Sequence, residues 1–282
     1  MKLVRYGETG GERPGLIDGT GALRDLSGEI EDITPRTLAP AMLDRLRGLD
    51  AARLPVVAGS PRLGVPVGGI PKIVAIGQNY LDHIREMGFE PPEEPVIFIK
   101  AISALCGPTD PIVRPKTSTQ LDYEVELAAV IGRVARNVSE AEALEYVAGY
   151  ALMNDGSERA YQRERAGGTT KGKSADTLGP LGPWLVTADE VGDPRKLRLW
   201  SRVNGETRQD GNTDNMVFGV AKLVSYVSEF MSLQPGDVLT TGSPHGVAAG
   251  FDPPRWLHPG DVLEMGIDGL GEQRHEIVAY PG

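Results

Sequence analysis

Leu121-Asp122-Tyr123-Glu124-Val125-Glu126-Leu127-Ala128-Ala129-Val130-Ile131 reads as a strand, and the fold is decided by how it continues. Residues two apart on a strand face the same way, roughly 6–7 Å apart, so Glu124 and Glu126 share a face. The strand then becomes almost wholly apolar, which predicts burial on both sides and carries the carboxylates toward the interior. Two neighbouring buried carboxylates repel and are costly to desolvate unless a cation or donors neutralise them. A third, Asp155, stands beside Asn154 at the end of a second apolar strand, Val147-Ala148-Gly149-Tyr150-Ala151-Leu152-Met153. Three hard oxygen ligands suit Mg²⁺ or Mn²⁺, with Ca²⁺ a further candidate, better than a thiolate-seeking metal. The plainer reading of Glu-x-Glu alone is a solvated charged strand face.

Working outward, the 282 residues are 40% hydrophobic and 24% charged, which is ordinary for a globular chain. The 36 Gly and 22 Pro are spread as turn punctuation, so a β-rich protein of many short strands is expected. A net charge of −10 argues against a nucleic-acid partner, which needs clustered Lys and Arg. No apolar stretch approaches the ~20 residues of a membrane span, and Met1 to Gly7 lacks a signal-peptide core, so a cytoplasmic location without membrane contact is expected. The single cysteine, Cys106, lies in the apolar run Ile102-Ser103-Ala104-Leu105-Cys106 and reads as a buried structural thiol.

Two domains are expected. Residues 1–66 form a small N-terminal module with a helix at Pro40-Ala41-Met42-Leu43-Asp44-Arg45-Leu46, and residues 67–282 form the larger unit, opening on the strand Lys72-Ile73-Val74-Ala75-Ile76. Ser139-x-x-Glu142 predicts a capped helix over Ala143 to Ala148, ended by Gly149. Val217, Val220, Ala221, Val224 and Val227 predict a second helix between Asp214 and Phe230. Leu233-Gln234-Pro235-Gly236-Asp237-Val238-Leu239 is echoed at Leu257-His258-Pro259-Gly260-Asp261-Val262-Leu263, a recurring Pro-Gly turn into an apolar strand.

Beyond Asp155, a helical turn carries Ser157, Arg159 and Gln162, and Lys171-Gly172-Lys173-Ser174 follows. A Lys and a Gln near a metal can stabilise negative charge developing on a substrate oxygen. Gly167 to Ser174 formally satisfies the phosphate-loop pattern, but that motif needs a strand before it and a helix after it, and neither flank complies. Earlier in the chain, His83 and Glu86 stand at i and i+3, so Glu86 can orient the imidazole and the pair can take a proton from water. A surface His–Glu pair is the plainer reading. Gly and Pro flanks also allow this segment to act as a lid.

Six motifs occur in order: Gly77-Gln78-Asn79-Tyr80-x-Asp82-His83, Asp122-Tyr123-Glu124-x-Glu126-Leu127, Asn154-Asp155-x-Ser157-x-Arg159, Gly172-Lys173-Ser174, Gly179-Pro180-x-Gly182-Pro183-Trp184 and Thr241-Gly242-Ser243-Pro244-x-Gly246-Val247. Over about residues 70 to 280 the chain thereby resembles the fumarylacetoacetate hydrolase family. The resemblance implies an α+β, β-rich fold, a mixed β-roll or sandwich with a small N-terminal α+β domain, and a homodimer. It implies metal ligands Glu124, Glu126 and Asp155, a His83–Glu86 dyad that activates water, and oxyanion donors Gln162 and Lys173. Arg159, Tyr80, Gly242 and Ser243 would hold the substrate. Gly156 after the metal-binding Asp, Gly168-Thr169-Thr170 where an aromatic is common, and Ser243 for the usual Thr all bear on substrate choice.

The expected reaction is hydrolysis of the C3–C4 bond of a small 2,4-dioxo acid, an acylpyruvate or a 2,4-diketo-3-deoxy sugar acid, to pyruvate or a related 2-oxo acid and a carboxylic acid. The rivals are an oxaloacetate-type decarboxylase and an isomerase of 2-hydroxy-dienedioates. A reading of another class makes the chain a non-catalytic, metal-stabilised binding module.

Overall fold

The computed structural model describes residues 1–281. Its centre is the strand Val125–Ile131, every residue of which is buried. Alternation divides it: Val125, Leu127, Ala129 and Ile131 enter one apolar cluster, and Ala128 and Val130 enter another. That is the two-sided burial the apolar run predicts. Val147–Asn154 pairs with it antiparallel, and these two strands lie inside a nine-stranded sheet. From edge to edge the order is Leu23–Asp25, Arg13–Ile17, Lys2–Tyr6, Leu185–Thr187, Val147–Asn154, Val125–Ile131, Val238–Thr240, Ile73–Gly77 and Val96–Lys100. The N-terminal strands join this sheet through Lys2↔Val186 and Leu3↔Leu185, so hydrogen bonding runs unbroken from them into the larger unit.

A five-stranded sheet, in the order Glu206–Asn212, Arg198–Val203, Val262–Ile267, Gly271–Val278 and Ile112–Val113, covers one side. Its Leu199, Leu263, Met265 and Ile267 share a cluster with Leu127 and Ala129. The helix Val220–Phe230 seats Val220, Leu223, Val224 and Val227 in the same cluster. On the other side α1 (Pro40–Arg47) buries Leu43 and Leu46. The whole is a β-rich structure with few helices, and among the described residues none is long and apolar enough to cross a membrane.

Three local expectations are corrected. The helix over 143–148 is one 3-10 turn, Ala143–Tyr146, because from Val147 onward the ladder to Val125–Ile131 claims the backbone. Ser139 Oγ donates to Glu142 Oε2 (2.6 Å) rather than capping a helix, and Gly149 sits within the strand, where a Cβ would stand 2.3 Å from the Val186 carbonyl oxygen. The later helix starts at Val220, since the amides of Val217 and Phe218 are spent on Asn79. The run from Leu121 is two strands: Leu121–Asp122 pairs with Ser157–Glu158, and Tyr123 and Glu124 bridge to Val125–Ile131.

Candidate metal centre and active site

Antiparallel register brings the three carboxylates together. Leu127 faces Leu152, Glu126 faces Met153 and Val125 faces Asn154, so the residue after Asn154 meets the residue before Val125. That contact is Asp155 N donating to the Glu124 carbonyl (2.9 Å), with Glu124 N donating to Asn154 Oδ1 (3.1 Å). Carboxylate oxygens of Glu124, Glu126 and Asp155 lie within 4.8 Å of one another, all buried.

Buried cations face them. Lys173 Nζ bridges Glu124 Oε2 and Asp155 Oδ2 (2.7 Å to the latter). Arg159 donates from Nε to Asp122 Oδ2 (2.8 Å) and from Nη2 to Glu124 Oε1. Lys100, fully buried, donates to the Gly156 carbonyl (3.0 Å) and stands 2.9 Å from Asp155 Oδ1, which nevertheless accepts no well-directed hydrogen bond. Among the described residues Glu126 accepts a hydrogen bond only from the Gly242 amide (3.0 Å), at Oε2. Burial opposes ionisation of Glu124, but Lys173 and Arg159 outweigh it and hold that carboxyl well below the usual range. Glu126 goes the other way: burial, then Asp155 and Glu124, push it well above.

The cluster is therefore short of positive charge at one place. Asp122, Glu124, Glu126 and Asp155 face Arg159, Lys173 and Lys100, and the carboxylate left uncompensated is Glu126, beside the unsatisfied Asp155 oxygen. A hard divalent cation fits that donor set and deficit, and binding it would leave the centre net positive, which suits an anionic ligand.

A cavity of about 270 Å³ opens onto these groups. His83, on α2 (Leu81–Glu86), lines it, with Nδ1 bonded to Glu86 Oε2 (2.8 Å); Glu86 Oε1 accepts from the Gly246 amide (2.8 Å). The second carboxylate oxygen is thus anchored by the loop after Val238–Thr240, which fixes the dyad more firmly than an i, i+3 pair alone. On α3 (Arg159–Arg163), Gln162 Oε1 accepts from Arg159 Nη1 (3.0 Å), which leaves its amide NH₂ as a donor. Lys173 ends α4 (Thr169–Lys173), whose preceding element is a helix and not a strand, and its ammonium is committed to carboxylates; no phosphate loop forms.

The structure redistributes the expected substrate contacts. Tyr80 does not line the cavity; it is fully buried in the core cluster, with its ring against Gly242, and cannot touch a substrate there. Ser243 lines the cavity but its hydroxyl donates to the Val125 carbonyl (2.9 Å) and accepts from Gln209 Nε2 (2.8 Å), so it braces the strand that carries Glu126. Gly242 contributes its amide to Glu126 from a left-handed φ of +86°, where glycine is favoured. Arg159 reaches the cavity yet is spent chiefly on Asp122 and Glu124. Two residues escaped the sequence reading. Asp122 holds Arg159 and accepts from the amides of Tyr123 (2.8 Å) and Ala248 (2.6 Å). Lys100 could have been found as the one cation closing the apolar strand Val96-Ile97-Phe98-Ile99, since a buried lysine implies a buried carboxylate. Cys106 is buried, and burial first of all pushes its thiol up to about 12, consistent with an inert structural role.

Comparison with known proteins places this geometry. Residues 72–278 match the family described as "Fumarylacetoacetate (FAA) hydrolase C-terminal". A protein of Burkholderia ambifaria is 54% identical over 274 residues, 97% of each chain. The maleylpyruvate hydrolase of Sphingobium sp. SYK-6, solved in complex with manganese(II) and pyruvate, superposes with a TM-score of 0.82 at 30% identity over 100% of both chains. The 2-hydroxyhepta-2,4-diene-1,7-dioate isomerase of Mycobacterium marinum gives 0.77 at 30% identity, again over 100% of both. Hydrolases and isomerases thus share this fold and its length. The chain belongs to the fumarylacetoacetate hydrolase family, a family of enzymes.

Proposed function

We propose that this chain is a divalent-metal-dependent hydrolase that cleaves the C3–C4 bond of a 2,4-dioxo acid, releasing pyruvate or a related 2-oxo acid and a carboxylic acid. The observation that carries the reading is one cavity lined both by Glu124 and Glu126 of the buried three-carboxylate cluster and by His83, whose Nδ1 is held by Glu86. Glu124, Glu126 and Asp155 would hold Mg²⁺ or Mn²⁺, which supplies a Lewis acid for the 1-carboxylate and 2-oxo oxygens. His83, oriented by Glu86, takes a proton from water as the water oxygen bonds to C4. The free amide of Gln162 donates to the oxyanion formed on C4, and Lys173, whose ammonium stays held by Glu124 and Asp155, lends that oxyanion nearby positive charge. The C3–C4 bond then breaks with its electrons going to C3, and the proton held by His83 returns there, leaving pyruvate and the new acid.

The isomerase among the structural relatives favours one alternative, in which the same head group is bound but water is not used. Incubation with a panel of acylpyruvates and sugar-derived 2,4-dioxo acids, with Mg²⁺ and with Mn²⁺, separates the two. Equimolar pyruvate and carboxylic acid support hydrolysis. A product of unchanged formula means isomerisation, and carbon dioxide without a new carboxylate means decarboxylation; either would overturn the proposal.

A further inference from the structure

Val125 lies between two of the three carboxylates, and on one side its backbone lacks the strand neighbour that Ala128 to Val130 have. Val238–Thr240 pairs with this strand only as far as Thr240↔Ala128. Thr241 still donates its amide to the Leu127 carbonyl (3.1 Å), and at Gly242 the chain turns away with a left-handed φ of +86°. Beyond that point side chains take over the edge. The Val125 carbonyl accepts from Ser243 Oγ (2.9 Å), and the Val125 amide donates to Oε1 of Gln209 (3.1 Å). A buried peptide group needs such partners, because leaving one unpaired costs about as much as a lost hydrogen bond.

Gln209 reaches this place from the other sheet. It stands on Glu206–Asn212 opposite Ser201, and both are fully buried, so both point inward. The ladder skips Arg208: Gln209 pairs with Ser201 and Thr207 with Arg202, a bulge of the kind that re-aims side chains. The carbonyl of the bulged Arg208 presses on Gly246, where a Cβ would stand 1.9 Å from it. Every polar position of the Gln209 amide is used. Oε1 accepts from Val125 N and from Ser201 Oγ (3.0 Å), and Nε2 donates to Ser243 Oγ (2.8 Å) and to the Pro244 carbonyl (2.9 Å). The reverse orientation would set two donors against the Val125 amide, so the surroundings fix the amide in one pose.

The loop held in this way serves both halves of the site. Gly242 donates its amide to Glu126 Oε2 (3.0 Å), and Gly246 donates its own to Glu86 Oε1 (2.8 Å). One buried amide thus joins the main chain between Glu124 and Glu126 to the loop that orients the Glu126 carboxylate and the partner of His83. We infer that Gln209, which does not line the cavity and bonds to no carboxylate, is a positioning residue that sets the metal geometry and, through Gly246, the dyad. This rests on the metal-dependent reading and extends its machinery to the five-stranded sheet. Groups that hold ligands in place without touching the metal typically account for about tenfold to a hundredfold in metal affinity.

The test reads Mn²⁺ affinity by calorimetry on the folded, chelator-treated protein, so it does not pass through turnover. Gln209→Met keeps the length of the side chain, removes all of its hydrogen bonds, and is expected to weaken Mn²⁺ binding about tenfold to a hundredfold. Val227→Ala truncates a buried side chain of the helix Val220–Phe230 outside the cavity; it reports lost stability alone and should leave the affinity within about twofold. Should Gln209→Met not fold, Ser243→Ala removes one link of the same chain and is expected to weaken binding by a smaller factor, which Ser243→Thr, with its hydroxyl, recovers. Hydrogen exchange along α2 and at the Gly246 amide should be faster in Gln209→Met and unchanged in Val227→Ala. An affinity of Gln209→Met within about twofold of the unaltered protein, an equal loss in Val227→Ala, Ser243→Thr no better than Ser243→Ala, or no Mn²⁺ binding by the unaltered protein would each overturn the inference. Unchanged exchange in α2 would overturn its extension to the dyad. A loss of affinity specific to Gln209, found together with no cleavage of any 2,4-dioxo acid, would uphold the inference while removing the hydrolase reading. Cleavage with an affinity indifferent to Gln209 would do the reverse.

Discussion

Replacing Glu126 by Gln should leave the metal-free protein at least as stable as before and abolish most of its stabilisation by metal. Glu126 is 1% exposed, receives one backbone amide, and lies beside Asp155 and Glu124. Its carboxyl is pushed well above the usual range by burial and by those two neighbours, so in the absence of metal its ionisation works against the fold. A folded pKa above the unfolded one gives stability that is present at acid pH and lost as pH rises toward the folded value, and Gln removes that loss. With metal the sign inverts. At a metal concentration of a hundred times Kd, binding stabilises by about 2.7 kcal/mol, which for a chain of this size raises Tm by about 5–10 °C. If loss of one of three carboxylate ligands weakens binding about a hundredfold, the same concentration gives only about 0.4 kcal/mol, or about 1 °C. Thermal denaturation of both proteins after chelation, then titrated with MnCl₂ and MgCl₂ at constant ionic strength, reads both effects. Equal metal-induced shifts would remove Glu126 from the site. A metal-free Glu126→Gln protein that is several kcal/mol weaker would show that the carboxylate is already compensated, and the charge reasoning would fall.

Lys100→Met should cost the metal-free protein about 3–5 kcal/mol in urea denaturation, because it removes one of the two ammonium groups on buried Asp155 and leaves Oδ1 facing an apolar side chain; a loss under about 1 kcal/mol would contradict the pairing. His83→Ala and Glu86→Gln should each lower turnover of a cleaved acylpyruvate, His83→Ala by about a hundredfold to ten-thousandfold. Unchanged turnover in both would discard the dyad. His275 is fully buried and donates Nδ1–H to the Asp110 carbonyl (2.7 Å), and burial lowers its pKa to about 4. Its folded pKa lies below the unfolded value of about 6.5, so its contribution is present above pH 6.5 and is lost as pH falls toward 4, by about 3 kcal/mol. His275→Asn should show a shallower fall in unfolding free energy over that window, measured in urea at stepped pH; an identical slope would refute the assignment.

Much of the site was legible because its parts are local. The His83–Glu86 pair needs only helical spacing, Arg159 and Gln162 need one turn of α3, and the end of an apolar strand places Asp155. Legibility failed where a side chain had two uses. Ser243 and Tyr80 look like substrate contacts in one dimension, yet one hydroxyl is claimed by the Val125 carbonyl and the other ring by the core. The capped helix at Ser139 failed for a related reason, since local capping was outweighed by a ladder formed with residues about twenty positions earlier.

By itself the sequence determined the strand character of 125–131 and 147–154, the carboxylates they carry and the dyad on α2, because side-chain periodicity and helix spacing are short-range properties of a chain. The tertiary structure decided which carboxylate is compensated. Lys100, Lys173 and Arg159 come from three separate segments, and only their packing assigns two cations to Asp155, two to Glu124 and none to Glu126. Charge balance in a buried cluster depends on through-space distances of a few ångströms, which sequence separation does not encode.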